Sequence, residues 1–410
     1  MKYHFTGKQW WILLLIFSGT LINAIDRSSL ATASPYIAQE LHLDMSTMGL
    51  ILSSFGWTYL LCNLPSGWLV DRFGAKRVYG WAATLWSVAC AMTGLARNVS
   101  TLLVSRTLVG IGESANFPVA TKVVREHFAT TERGLATGIY LAGLRLGYAV
   151  TPGLMAWLML TFGSDTRPDW QSAFLATGLG GLGFVLIWFA TYQEQHAPLT
   201  TKPTSPTAST RILLKHRNTW AILIIKFLQD YLYYLYLTWL PMYFVTERHL
   251  SLTTVAFYAT IPWVAGMIAQ PLAGLTSDFF ISRGHSPTKI KKFLLIITQL
   301  VAASVIFAAF VESVHTAAIL LIIAMAAESA SAAILWTLPQ DIAPEKLTGR
   351  LGGLMNTAGA AAAIVSPILT GLVAEIAGFA AALTLGGVCM LISVLTIAFL
   401  LGPIRPIGHS

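Results

Sequence analysis

Ile22-Asn23-Ala24-Ile25-Asp26-Arg27-Ser28-Ser29-Leu30 sets a carboxylate beside a guanidinium near the end of a long apolar run, Trp10–Ala33. About 20 apolar residues suffice for a helix to cross a bilayer. A charge at the centre of such a helix costs at least ~2.5–3.5 kcal/mol. Charges in that position persist when they face a partner or a cavity, so Asp26 and Arg27 pose a question for the rest of the chain.

Composition gives the same class. Of the 410 residues, 55% are hydrophobic and only 11% charged, with a mean hydropathy of +0.66. Most of the chain therefore requires lipid around it. Apolar length marks twelve spans, near Trp10–Ala33, Met48–Val70, Val78–Leu95, Leu102–Val123, Leu135–Phe162 and Ser172–Thr191, then Thr219–Phe244, Thr253–Leu275, Phe293–Val311, Ala317–Leu338, Leu351–Ile376 and Ala380–Leu401. Trp10–Ala33 is too long for the core of a cleaved leader, so it is expected to be the first membrane helix.

Between the sixth and seventh spans lies a polar stretch with Pro198, Pro203 and Pro206, a linker by composition. The expected division is an N-terminal six-helix bundle (1–192), a cytoplasmic linker (193–215) and a C-terminal six-helix bundle (216–410). With the N-terminus inside, nineteen lysines and arginines fall on inner segments, against Arg97, Arg167 and Arg248 outside. That asymmetry places both termini in the cytoplasm. It also explains the net charge of +8 without a nucleic-acid partner. Cys62, Cys90 and Cys389 sit in apolar runs and read as small packing residues.

The halves echo each other. Gly67-Trp68-Leu69-Val70-Asp71-Arg72-Phe73-Gly74-Ala75-Lys76-Arg77 joins spans two and three. Gly274-Leu275-Thr276-Ser277-Asp278, ending in Ser282-Arg283-Gly284, joins eight and nine. Parallel repeats of six spans are the mark of a transporter built from two rocking halves.

At Gly67–Arg77 the sequence resembles the major facilitator superfamily. Its glycines imply close helix approach there, and Asp71, Arg72, Lys76 and Arg77, with Gly67 and Gly74, imply a cytoplasmic gate latch. A narrower resemblance covers nearly the whole chain. It rests on Asp26-Arg27, Arg106, Gly110-Ile111-Gly112-Glu113, Phe117-Pro118, Leu237-Thr238-Trp239-Leu240-Pro241, Trp336 and Asn356. These are similar to the anion:cation symporter branch, which includes proton-coupled galactonate and hexuronate transporters and, more distantly, sialin and the vesicular glutamate transporters. The resemblance implies an all-α membrane protein, not an enzyme, that imports an organic anion with protons by alternating access. The anion would bind midway between the halves. The working unit is expected to be a monomer in the inner membrane, with protons as the coupling ion and no other cofactor.

Residue roles follow from both lines. Arg106 and Glu113 lie two turns apart, so they share a face of the fourth span, about 10 Å apart along its axis. A guanidinium offers a carboxylate a fixed fork of donors. Asp26 and Arg27 point about 100° apart and need not pair. By resemblance, Asp26 and Glu113 carry the protons, while Arg27, Arg106 and Tyr59 contact the anion. Trp336 and Asn356 could offer an apolar wall and an amide. Lys226 and Asp230, one turn apart on the seventh span, can meet. Lys226 is either a second anion clamp or half of a self-neutralised pair. Arg145 and Glu328 are further charges for a gate or cavity. These extra charges widen the expected cargo to di- and tricarboxylates. An exchanger or exporter of a polycarboxylate, siderophore-like or drug-like compound is the alternative. No P-loop and no metal-ligand spacing is visible.

Overall fold

The computed structural model describes residues 5–129, 132–164, 166–194, 210–344 and 347–405. Most of the expected linker therefore lies outside the described residues. The rest is helical: α1 (Gly7–Glu40), α2 (Met45–Phe73), α3 (Ala75–Gly94), α4 (Val99–Glu113), α5 (Asn116–His127), α6 (Arg133–Phe162), α7 (Trp170–Thr191), α8 (Thr210–Leu214), α9 (Arg217–Thr246), α10 (Leu252–Ser282), α11 (Pro287–Ala302), α12 (Val305–Ala308), α13 (Val314–Leu335), α14 (Leu338–Ile342) and α15 (Thr348–Leu395). Among the described residues, seven stretches are long and apolar enough to cross a membrane by length and composition.

The twelve expected spans fall on these helices, but not one to one. The ninth divides into α11 and α12, and the eleventh and twelfth share α15, which is broken at Gly378 (φ 79°). The fourth is not continuous as expected; it divides into α4 and α5 at Ser114-Ala115. Pro118 has no N–H to return to the carbonyl four residues earlier, which is that of Ser114. The Ser66 hydroxyl, from α2, reaches that oxygen instead at 2.9 Å, sharing its hydrogen with the Asn63 carbonyl at 2.7 Å. The break leaves Glu113 as the last residue of α4.

Two units emerge: Met1–Thr200 with Leu240–Thr260, and Thr201–Trp239 with Ile261–Ser410. In the first, α1 begins with a capping box, Thr6 with Gln9. At 34 residues it runs about 50 Å. It packs on α6, where Gly143 faces the Phe17 carbonyl and Gly147 faces Ala24. Asp44 caps α2; the Thr47 hydroxyl and N–H hold its carboxyl below the usual range. α2 meets α4 at Gly110, where any side chain would strike the Phe55 carbonyl. Tyr79, Trp86, Phe184, Trp188 and Tyr192 form an aromatic core, with Trp188 and Tyr192 stacked at 4.2 Å.

In the second unit the core includes Leu213, Ile225, Leu295, Leu335, Met355 and Ile397. α9 is tied to α15 by the Ser366 hydroxyl donating to the Tyr231 carbonyl at 2.8 Å and by Trp239 Nε1 donating to the Pro367 carbonyl at 3.1 Å.

The repeat read from the sequence has a backbone counterpart. Among the described residues outside helices, left-handed φ occurs at His42 and Gly74, then at His249 and Gly284. Each pair marks the turns after the first and second spans of its half. Gly74 ends α2 with φ 86°, and a side chain there would also meet the Glu194 carboxylate.

Candidate functional site

Four charges in the first unit converge from α1 and α4. Arg27 Nε donates to Glu113 Oε2 at 3.0 Å, and Nη2 lies 3.0 Å from the same oxygen. The Arg27 guanidinium is stacked on Phe55 at 4.6 Å and Tyr59 at 4.8 Å. Those two α2 rings are themselves stacked at 5.3 Å. Aromatic faces stabilise a cation most where water is excluded.

Arg106 is only 2% exposed. It makes no hydrogen bond to Glu113, two turns along the same α4 face. Instead Nη1 and Nη2 donate to the carbonyls of Asp26 and Arg27, each at 3.3 Å. The guanidinium fork spans both carbonyls. Asp26 is fully buried and does not pair with Arg27. Its Oδ1 receives the Cys90 thiol at 3.3 Å.

Asp26 Oδ2 and Arg106 Nε are buried and make no hydrogen bond among the described residues, and the Asn23 amide lies beside Glu113. Buried polar atoms in proteins are usually paired; others without a hydrogen bond lie elsewhere in the chain, such as Thr219 Oγ1, Ser277 Oγ and Ser393 Oγ. Those of Asp26 and Arg106 gather around one ion pair, which singles this cluster out as the candidate site.

The second unit holds its own polar interior. Lys226 Nζ lies 2.7 Å from Asp230 Oδ1 and 5.1 Å from the Trp336 ring centre. Gly359 faces Asp230 so closely that a Cβ would collide with its carboxylate. Gln299 donates to Ser331 (3.1 Å), Ser331 to Gln229 (3.2 Å), and Gln229 to Glu328 (3.2 Å). The donors in this chain all run toward Glu328, so each bond polarises the next. The Ser329 hydroxyl adds a further donor at 3.2 Å. Asn356 is exposed on α15, and Arg145 is half-buried on α6.

The gate motif is spread over the α2–α3 turn. Asp71, Arg72 and Arg77 are exposed, and Lys76 is half-buried. Arg72 lies over the Trp68 ring at 5.1 Å. The close helix approach expected at both glycines is not seen: a Cβ at Gly74 would meet the Glu194 carboxylate, beyond the end of α7, and nothing lies within 4 Å of one placed at Gly67. An apolar groove of about 490 Å³ is lined by Leu69, Phe73, Trp81, Leu85 and Ile111, with Arg77. None of the four buried charges lines it.

Charge spacing could not find Cys90, Phe55, Asn23 or the Gln299–Ser331–Gln229 chain. A thiol, a phenyl ring and amides in apolar spans have the appearance of ordinary packing.

Buried charges of both signs inside long apolar helices define a multi-pass membrane protein with a polar interior. The chain belongs to the Major Facilitator Superfamily, whose family model matches residues 16–367. It is 30% identical to the probable galactarate/D-glucarate transporter of Escherichia coli (strain K12), over 96% of this chain and 95% of that one. It is 29% identical to the D-galactonate transporter of Escherichia coli O6:H1, over 98% and 97%. Its fold matches the crystal structure of a bacterial homologue of the human lysosomal transporter Spinster with a TM-score of 0.83, covering 96% of this chain and 97% of that one. That likeness, at 17% identity, shows the fold alone.

Proposed function

We propose that the protein is a secondary active transporter that carries a sugar acid or related carboxylate together with protons, by alternating access. The observation that carries this reading is the buried Arg27–Glu113 pair on its aromatic platform, surrounded by polar atoms with unused bonding capacity. The printed cargoes of the relatives, galactarate, D-glucarate and D-galactonate, support the substrate class.

A substrate carboxylate competes with Glu113 for the Arg27 fork. Once displaced, Glu113 is a buried carboxylate without its cation, a state too costly to persist. Binding a proton removes the charge, so anion entry and proton entry become one event. Asp26 is the second proton site. Arg106 contributes its charge and its unused Nε. Tyr59 offers a hydroxyl to the sugar acid. Lys226 is proposed as a further anion contact, and Trp336 and Asn356 as contacts for the sugar's apolar face and hydroxyls. Arg145, Asp230 and Glu328 are proposed gate or cavity charges. Gly67, Asp71, Arg72, Gly74, Lys76 and Arg77 are proposed as the cytoplasmic gate, in a monomer of the inner membrane.

Uptake into proteoliposomes tests this reading. Labelled galactarate, D-glucarate and D-galactonate are offered with and without an inward proton gradient. At least one is expected to accumulate with the gradient and to leak back when a protonophore collapses it. Glu113→Gln is expected to bind and exchange the anion but to lose gradient-driven accumulation. Accumulation by Glu113→Gln equal to the parent's would reject its coupling role. Accumulation that ignores the protonophore would reject proton coupling altogether.

A further inference from the structure

Asp26 is 0% exposed on α1, and its only hydrogen-bond donor among the described side chains is a thiol. Cys90 of α3, also 0% exposed, donates to Oδ1 at 3.3 Å, while Oδ2 has no partner. On its other side the Cys90 sulfur lies 3.6 Å from Thr177 Oγ1 of α7. The Thr177 hydroxyl hydrogen is committed to the Phe174 carbonyl at 3.1 Å, so its oxygen is left to accept. The single S–H therefore has two acceptors within reach, a carboxylate and a hydroxyl oxygen.

The charged groups nearest Asp26 are engaged with partners of their own. The charged groups acting on it are Glu113 and Arg106 of α4. The Arg106 Nη atoms are engaged with backbone carbonyls. Arg27 turns to Glu113. α7 offers the neutral Thr177, and α6 meets α1 at Gly143 and Gly147.

We infer that Cys90 is a positioning residue for the proton step, with its thiol switching between Asp26 and Thr177. When Asp26 is ionised, the S–H donates to Oδ1, because a carboxylate is the stronger acceptor. That leaves Oδ2 as the oxygen on which the proton arrives. When Asp26 is protonated, its demand for a donor falls, and the S–H turns to Thr177 Oγ1. The thiol never loses its own proton. It stabilises each state of Asp26 in turn and sets the pH at which Asp26 loads. This inference rests on Asp26 as a transport proton site.

The test reads Asp26 itself in reconstituted, substrate-free protein. The infrared carbonyl stretch of its protonated carboxyl is titrated, with the band assigned by its loss in Asp26→Asn. Cys90→Ala removes the donor to the anion, so the midpoint is expected to move to higher pH by about 0.5–1 unit, the size of one modest hydrogen bond. Thr177→Val removes the alternative acceptor, so the midpoint is expected to move to lower pH. Cys90→Ser keeps a donor and is expected to restore the parent midpoint. A merely packed cysteine would give no opposed shifts. Identical midpoints in the parent, Cys90→Ala and Thr177→Val would overturn the inference while leaving the transport reading in place. Proton-driven uptake that survives Asp26→Asn would instead overturn Asp26 as a transport site, and the coupling role of Cys90 with it.

Discussion

Arg27 and Arg106 carry the same charge, yet their surroundings divide the work between them. Arg27 directs two nitrogens at one carboxylate oxygen and rests on two aromatic rings. In the proposed cycle, a competing anion exchanges into that geometry. Arg106 is bonded to the backbone of α1 and acts as a brace as well as a charge. Arg27→Lys keeps the charge but loses the planar fork. It is expected to weaken anion binding about tenfold or more, which is at least ~1.4 kcal/mol, as read by ligand-induced thermal stabilisation. Binding equal to the parent's would show that the fork itself does not hold the anion. The four charges were legible because each is anomalous in an apolar span. Their partners were not. Arg27 and Glu113 are 86 residues apart, and no spacing within α4 points to that partner. The thiol at Asp26 was invisible for a plainer reason: a cysteine in an apolar run has no charge to mark it.

At the scale of elements, the break between α4 and α5 places Glu113 at a helix end. Hydropathy alone reads straight through Leu102–Val123, because a proline three residues into a new helix leaves the apolar pattern unchanged. The hydrogen-bond pattern changes, and Ser66 takes over the carbonyl that Pro118 cannot serve. Ser66→Ala is expected to leave that buried oxygen unpaired, at a cost of about 1–3 kcal/mol, seen as a lower Tm. Pro118→Ala returns an N–H to the same register. In the double variant it is expected to recover part of the loss. A double variant as unstable as the sum of the two single changes would mean that Ser66 and Pro118 do not share this carbonyl.

At the scale of the molecule, the turns after the first and second spans of each half carry the same left-handed residues, His42 and Gly74, then His249 and Gly284. The repeat is therefore one of backbone conformation as well as of sequence. The cation asymmetry leads to a topology prediction. Green fluorescent protein fused after Ser410 is expected to fluoresce, and alkaline phosphatase fused there is expected to be inactive. Phosphatase fused at the Arg97 or Arg167 loops should be active. The reverse pattern would invert the orientation. Composition, span length and charge placement determined the membrane class, the helical architecture and the residues where polarity is anomalous, because lipid constrains every residue of a span in the same local way. Which charge meets which, where a helix breaks and what accompanies Asp26 were decided only by tertiary structure. Those outcomes depend on side chains and carbonyls from different helices meeting at hydrogen-bond range, and no local pattern encodes that distance.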